Sequence, residues 1–350
     1  MTSWTLSVAR DDLTRTQLAE APTPQPEQGE AVLRVDRVGM TANNVTYAVL
    51  GGKPFRYWDF FPAPEGWGNV PLWGFAEVAA SRAEGVSEGD RVYGYLPPAG
   101  HLRVTPSRAS AGGFRDATEH RASLPGTYNV YSLTTGDPAY EPEREDLQVL
   151  YRPLFYTSFM LADWVTDNAL FGADQVVLSS ASSKTAYGAA FLLREAGVRT
   201  VGLTSPANTQ FTEGLGVYDE VVAYDAVPRL AQQPTTYLDV AGSADVRAAL
   251  RDHLGAALVR DTPVGITQQD PTSLGGDALF FAPDQIAKRA VDWGREGLYE
   301  RFAAAWRSFA PMAERSVDVV VHEGPEALRD VWLDVLAGRT APREGHVVTF

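Results

Sequence analysis

The sequence predicts an α/β protein with β-rich ends around a doubly wound parallel-sheet centre. Three observations carry that expectation. Short runs of alternating apolar and polar residues, broken by Gly and Pro, fill the first hundred positions. From Gln175 onward apolar strand patterns alternate with amphipathic helical ones at short intervals. The tail then reads strand, helix, strand. Many short strands with Gly and Pro between them suggest a small barrel or sandwich, whereas strand–helix alternation indicates a parallel sheet covered on both faces.

Taken in order, "EAVLRVDRVGMT" alternates and is rich in β-branched residues, so it predicts a strand. "PLWGFAEVAAS" and "DRVYGYLP" follow across the turn-rich "RAEGVSEG", and "GHLRVTPSR" predicts one more short strand. Residues 111–145, with "LPGTYN", "TTGDP" and "YEPERED", lack periodicity and read as a connecting excursion. "FYTSFMLADWVTDNALFG" has helical spacing. Strand-like "QVVLSSA", "TVGLTS", "EVVAYD", "TTYLDVAGS" and "ALVRDTPVGIT" are interleaved with helical "TAYGAAFLLREAG", "NTQFTEGLG" and "ADVRAALRDHLG". "DALFFAP" reads as a further strand, and "QIAKRAVDWGREGLYERFAAAWRSF" as one or two long helices. "SVDVVVHEGPEALRDVWLDVLAGRTAPREGHVVTF" closes the chain as strand, helix, strand.

A chain of 350 residues has room for two domains with cores of their own. Its net charge of -14 repels phosphate backbones and anionic lipid, which argues against nucleic-acid or membrane-surface partners. No apolar run reaches spanning length and the first residues have no apolar signal core, so a soluble, cytoplasmic protein is expected. With no cysteine, thiolate zinc sites, disulfides and a Cys nucleophile are excluded. The five histidines are scattered without HxxxH spacing, and no metal is expected.

The turn Ser180-Ala181-Ser182-Ser183-Lys184-Thr185-Ala186 lies between a predicted strand and helix, where a dinucleotide-binding βα unit carries glycines. Small residues preserve close packing if φ stays negative, hydroxyls add donors, and helix N-terminal amides attract an anion. Lys184, one of only three lysines, adds a point charge suited to phosphate. Three other readings stand beside this one. A P-loop would require two glycines that are missing. Serines are also ordinary N-caps of a phosphate-free corner. Serine with lysine is a known nucleophilic pairing, though no oxyanion motif accompanies it.

Across nearly the whole chain these segments resemble the medium-chain dehydrogenase/reductase superfamily, in its zinc-free quinone-oxidoreductase-like branch, and more narrowly a divergent DUF2855-type family. "EAVLRVDRVGMTANNVTYAVLGG" is similar to the first long strand and the loop after it. "VPLWGFAEVAASRAEGVSEGDRVYGYLP" keeps the landmarks Gly74, Gly89, Asp90, Arg91 and Val92 of the "GDRV" signature. "LGVYDEVVAYD", "YLDVAG" and "LAGRTAPREGHVVTF" resemble later elements, with His346 where lysine is usual. The resemblance implies a GroES-like catalytic domain, 1–145 and 316–350, and a Rossmann NADP(H)-binding domain, 146–315. Ser183, Lys184 and Ala186 stand where that superfamily has glycines. Dimers are common in the superfamily; the residues carry no separate signal for a homodimer.

The second predicted strand of the parallel sheet ends Leu203-Thr204-Ser205-Pro206-Ala207-Asn208, without the acid that accepts from the ribose 2′-hydroxyl of NAD. NADPH-using relatives have serine and a basic residue here and a tyrosine one strand later. Thr204, Ser205 and Tyr224 match that pattern, and Asn208 takes the basic position. A polar loop after a strand is the plain alternative. Asp239, Gly242 and Thr267 sit at strand ends facing the expected cofactor crevice. The resemblance places a small-molecule substrate between the domains, with Asn43, Asn44 and Tyr47 in the loop after the first long strand as catalytic candidates. Tyr47 is the expected donor to a carbonyl oxygen, although Asn-Asn is also a turn signal and the tyrosine also suits packing. Six aromatics between Phe55 and Trp67 line an apolar or aromatic pocket, build a satellite core, or form an oligomer contact. The expected activity is zinc-independent reduction of a carbonyl, enone or quinone by NADPH. A catalytically silent NADPH-binding protein is the rival.

Overall fold

The structure is a computed structural model that describes residues 2–264, 280 and 282–350. Contacts divide it into two compact units, Met1–Leu150 with Asp318–Phe350, and Tyr151–Val317.

The first unit begins with a hairpin, β1 (Thr2–Ala9) and β2 (Thr16–Pro22), then β3 (Ala31–Met40), α1 (Ala42–Val49) and the two-residue β4 (Trp67–Gly68). β5 (Leu72–Ser81), β6 (Arg91–Leu96), β7 (His101–Val104), β8 (Pro106–Ser110), β9 (Gly113–Asp116) and β10 (Val130–Leu133) complete its first part. α2 (Glu145–Asp167) leads into the second unit. There β11 (Gln175–Leu178), α3 (Lys184–Glu195), β12 (Arg199–Thr204), α4 (Thr209–Gly214) and β13 (Glu220–Ala223) are followed by β14 (Thr235–Asp239), α5 (Ala244–Leu254) and β15 (Leu258–Pro263). α6 (Ala282–Asp292) and α7 (Gly294–Ser316) end that unit, and β16 (Asp318–Glu323), α8 (Gly324–Leu336) and β17 (Glu344–Thr349) return to the first.

In the first unit, a nine-stranded sheet runs β16-β17-β3-β5-β6-β10-β9-β8, with β7 pairing β3 off that path, and β2-β1-β4 forms a smaller sheet. β3 is its spine, antiparallel to β17, β5 and β7, with register breaks against β5 at Val32/Leu33 and Val35/Arg37. Such breaks bend and twist a strand, which lets one strand serve several neighbours. Leu33, Val35 and Val38 from β3, Val78 from β5 and Trp332 from α8 share one buried cluster. The "GDRV" landmarks are structural here. A Cβ on Gly74 would stand 2.1 Å from the Arg37 carbonyl oxygen, so β3 and β5 meet at that bulge only with glycine. Arg91 reaches Asp36 and Glu145, each at 2.6 Å, and ties two strands to the start of α2.

Three sequence expectations change. Residues 111–145 hold two paired strands, β9 and β10, rather than a plain excursion. "GHLRVTPSR" is split into β7 and β8, which pair with different partners. The segment after β3 is a helix, α1, not a loop. Asn44 accepts from the Thr41 amide at 2.8 Å and donates to the Pro71 carbonyl at 3.0 Å, so it supplies the cap that favours helix over turn.

The second unit has a five-stranded parallel sheet in the order β13-β12-β11-β14-β15. β11 and β14 are buried at every position, as expected of strands covered on both faces. α3 buries Ala186, Gly188, Ala189 and Ala190, small enough for its neighbours to approach closely. A Cβ on Gly188 would come within 2.8 Å of the Ser158 hydroxyl of α2. Phe155 of α2 stacks on Phe309 of α7 with ring centres 4.3 Å apart. Of the expected "DALFFAP" strand, only Phe280 and residues from Ala282 onward are described, and Phe280 bridges Val264 in parallel. No described helix is long and apolar enough to cross a membrane.

Candidate functional site

The strand order reverses at β11: its neighbours β12 and β14 lead outward in opposite directions. In open parallel sheets ligands bind beyond the carboxyl ends of strands at such a reversal. The Ser180–Ala186 turn stands at that position. Ser180 adopts φ 50, a left-handed conformation that serine enters at a cost of about 1 kcal/mol. Close packing of the turn therefore does not rest on negative φ throughout, and serine takes the conformation a glycine would adopt freely.

The turn's side chains are largely bound to their surroundings. Ser183 is the N-cap of α3 and accepts from the Ala186 amide at 3.3 Å. Asn208 donates to the Ser182 hydroxyl at 3.3 Å, joining the turn to the segment after β12. The Ser180 amide donates to the Tyr224 hydroxyl at 2.9 Å. Tyr218 donates to the Ala181 carbonyl at 2.9 Å, and Ser158 holds the Thr185 carbonyl at 2.7 Å. Thus Ser180, Ser182, Asn208 and Tyr224, widely spaced in sequence, form one patch. Thr204 is buried, and Ser205 is partly exposed beside it.

Asp239 is 2% exposed, and one oxygen of its carboxylate accepts from Ser179, Tyr237 and the Gly242 amide, at 2.9, 3.0 and 3.0 Å. Ser179 in turn accepts from the Ala241 amide. That network fixes the ends of β11 and β14 to each other, so the structure shows Asp239 and Gly242 as a lock on the strand ends. Thr267 lies outside the described residues.

Lys184 is the first residue of α3, where the helix's own partial positive charge disfavours a cation. Burial pushes its ammonium down to about 8, and Nζ stands over the Tyr151 ring, 5.7 Å from its centre. Tyr151 and Tyr187 hydroxyls are 2.6 Å apart beneath it.

The first unit holds a cluster of a different kind. Tyr47, Tyr57, Trp73, Tyr95 and Tyr128 surround one another, with ring centres 4.7 Å apart for Tyr47–Tyr57 and 4.8 Å for Tyr95–Tyr128. Trp73 Nε1 donates to the Tyr47 hydroxyl at 3.0 Å. Burial drives the Tyr47 pKa up, and the neighbouring Trp73 and Asn43 side chains oppose the shift. Asn43 and Tyr47 thus meet, one helical turn apart on α1, while Asn44 is turned into the cap. Beneath the cluster, the buried Arg121 bonds Asp116 at 2.8 Å and lies 5.0 Å from the Phe61 ring centre. A cavity of about 200 Å³ opens beside Phe60 and Phe61, lined also by Asn69, His101 and His120. Of the six loop aromatics, Tyr57, Phe60 and Phe61 join this cluster, whereas Trp58 packs in the main core.

Sequence reasoning missed Trp73, Tyr95 and Tyr128. Trp73 and Tyr95 stand directly opposite each other on β5 and β6, a pairing visible only once the strands are in register. Among the described residues no group of three or more His, Asp or Glu gathers to hold a metal ion.

Several solved structures share the fold. CurA from Vibrio vulnificus in complex with NADPH aligns with a TM-score of 0.68 at 16% identity, over 99% of this chain and 98% of that one. The quinone oxidoreductase from Coxiella burnetii aligns with a TM-score of 0.55 at 14% identity, over 100% of both chains. The Etr1p complex with NADP and crotonyl-CoA aligns with a TM-score of 0.60 at 12% identity, again over 100% of both. At such identities they show the fold, a GroES-like β-rich domain with a Rossmann domain as in medium-chain dehydrogenases/reductases. No curated protein matches the sequence. The family described as Protein of unknown function (DUF2855) matches residues 38–341, and the chain belongs to that family.

Proposed function

We propose that this protein is a zinc-independent, NADPH-dependent oxidoreductase that reduces a carbonyl, enone or quinone-type small molecule. The observation that carries the reading is the donor-rich turn at the strand-order reversal, followed by a second strand end without a carboxylate. The residues there fit a dinucleotide phosphate. First-turn amides of α3, the Ser180 and Ser182 hydroxyls and the Lys184 ammonium are all donors, and Ser180 holds the strained turn. Thr204, Ser205, Asn208 and Tyr224 would bind the 2′-phosphate, which an acid would repel. NADP(H)-bound proteins of the same fold support this assignment. Residues 146–315 are the NADP(H)-binding domain in this reading, and 1–145 with 316–350 the catalytic one.

When bound, NADPH supplies a hydride. The chain's own part is to hold the substrate and a proton. The Tyr57, Trp73, Tyr95 and Tyr128 rings offer an apolar wall suited to an aromatic or otherwise apolar substrate. With Trp73 donating to its oxygen, the Tyr47 hydroxyl directs its own proton away from the indole and toward a developing oxyanion. Like any phenol, it keeps that proton at neutral pH until the oxyanion develops.

Tryptophan-fluorescence titration with NADPH and NADH, followed by NADPH oxidation against enones, quinones and ketones, tests the proposal. Saturable NADPH binding with turnover of one class is expected. Tight binding with no turnover across the panel would favour the silent NADPH-binding reading, and no binding would remove both.

A further inference from the structure

The cavity beside Phe60 and Phe61 belongs wholly to the first unit, and Tyr47, Tyr57, Trp73 and Tyr128 do not line it. Its volume of about 200 Å³ lies below the roughly 300–1,000 Å³ that a drug-sized ligand takes, so it suits a molecule of one ring. Phe60, Phe61, Pro62, Pro97 and Ala99 give it apolar walls. Those walls are held in place. Arg121 lies over both rings, 5.7 Å from the centre of Phe60 and 5.0 Å from that of Phe61. Asp116 anchors Arg121 with one oxygen, and the other accepts from the Thr105 and Thr118 amides and the Thr118 hydroxyl. That pair is electrically neutral, and its carboxylate has no free oxygen to repel an anion.

The polar side of the cavity comes from β7. His101 and Arg103 stand two residues apart on that strand, so they leave its same face. Ser3 occupies His101 Nδ1 at 3.0 Å, and Nε2 has no hydrogen-bond partner among the described residues. Burial and the neighbouring Arg34 lower the His101 pKa, so at neutral pH the ring is uncharged and Arg103 carries the charge. Glu27 and Glu30 stand 3.7 and 3.6 Å from the Arg103 guanidinium, beyond hydrogen-bond length. The Glu30 oxygen nearest it already accepts from the Glu27 amide. Such long pairs in reach of water contribute little and give way to a better-aligned acceptor. A guanidinium with idle donors beside apolar walls suits a planar carboxylate on an apolar body. We propose that the cavity is a small-molecule site for a single-ring aromatic acid, its carboxylate on Arg103 and His101 and its ring against Phe60, Phe61 and Pro62. Such binding needs neither NADPH nor the reduction proposed above.

Titration of the full-length protein with benzoate, followed by saturation-transfer NMR, tests the proposal. One saturable site is expected, in the high-micromolar to millimolar range of so small a ligand. Benzamide has the same ring without the charge, and inorganic phosphate has charge without the ring. Each should bind at least about tenfold more weakly than benzoate. Arg103→Gln should weaken benzoate about tenfold and leave benzamide unchanged. The Arg103 side chain is half-exposed, so this variant should melt as the parent does. Ala99→Leu narrows the cavity and should remove binding of both ring compounds. Absence of saturable benzoate binding, equal binding of benzamide or phosphate, or benzoate binding undiminished in either variant would each overturn the proposal.

Discussion

In the proposed reading, the turn after β11 and the aromatic cluster around Tyr47 would hold a ligand in opposite ways. The turn uses short side chains that are mostly tied to one another: Ser183 caps its helix, Ser182 holds Asn208, and Ser180 leans on Tyr224. The donors it offers are amides and hydroxyls, whose positions follow from where β11 ends. The cluster uses bulky rings from α1, β5, β6 and the segments around Tyr57 and Tyr128, and its geometry depends on packing. The difference teaches where mutation should act. Changes in the turn should alter affinity, and changes in the cluster should alter either stability or chemistry.

Removing the cluster's support should produce the largest effect. Arg121 is 1% exposed, pairs with Asp116, and also bonds the Asn129 side chain, Tyr131 hydroxyl and Tyr128 carbonyl. Arg121→Met leaves a buried carboxylate without its cation and should cost about 3 kcal/mol or more in denaturant unfolding. A loss below about 1 kcal/mol would show that the cluster does not depend on this cation. Next comes chemistry. Tyr47→Phe should lower kcat about 100-fold, in the range for a positioned acid, while leaving the NADPH dissociation constant unchanged. An unchanged kcat would reduce the cluster to packing.

On the turn's side the effects should be smaller and confined to binding. Ser205→Asp places a carboxylate where a 2′-phosphate is expected and should weaken NADPH about tenfold, or about 1.4 kcal/mol, while NADH binding holds or improves. Parallel loss for both cofactors would mean that the end of β12 does not distinguish them.

Much of this contrast was legible in the sequence, and its gaps have physical causes. The turn was found because a buried strand and an amphipathic helix frame it, and both signals are local. The helical state of α1 was hidden because Asn43-Asn44 and the β-branched Val45 and Thr46 have low helix propensity; the Thr41–Asn44 cap and burial of Tyr47 override it. β9 and β10 have four residues each, too few for a period, and gain their identity from pairing with each other. Trp73, Tyr95 and Tyr128 converge only through sheet register. The Tyr224–Ser180 bond spans 44 positions, so the resemblance points to the tyrosine but no local pattern points to its partner.

Lys184 offers the finest test of the turn. A cation at the first position of a helix opposes the dipole by roughly 0.3–1 kcal/mol, and burial disfavours the charge further. Because burial brings its pKa down to about 8, the side chain is charged below that pH and neutral above it. NADPH affinity should therefore fall as pH rises from 7 to 9, by about threefold if one phosphate contact depends on the charge. Lys184→Met should bind NADPH about threefold more weakly at pH 7 and show no such slope. The same substitution should raise the melting temperature below pH 8. The folded pKa lies beneath the unfolded value near 10.4, so the cost of keeping the ammonium is fully present below 8 and fades toward 10.4. Weaker binding with higher stability would mark a residue kept for its ligand. Weaker binding with lower stability would mean that Lys184 holds the Tyr151–Tyr187 corner together, and acts on the cofactor only through it.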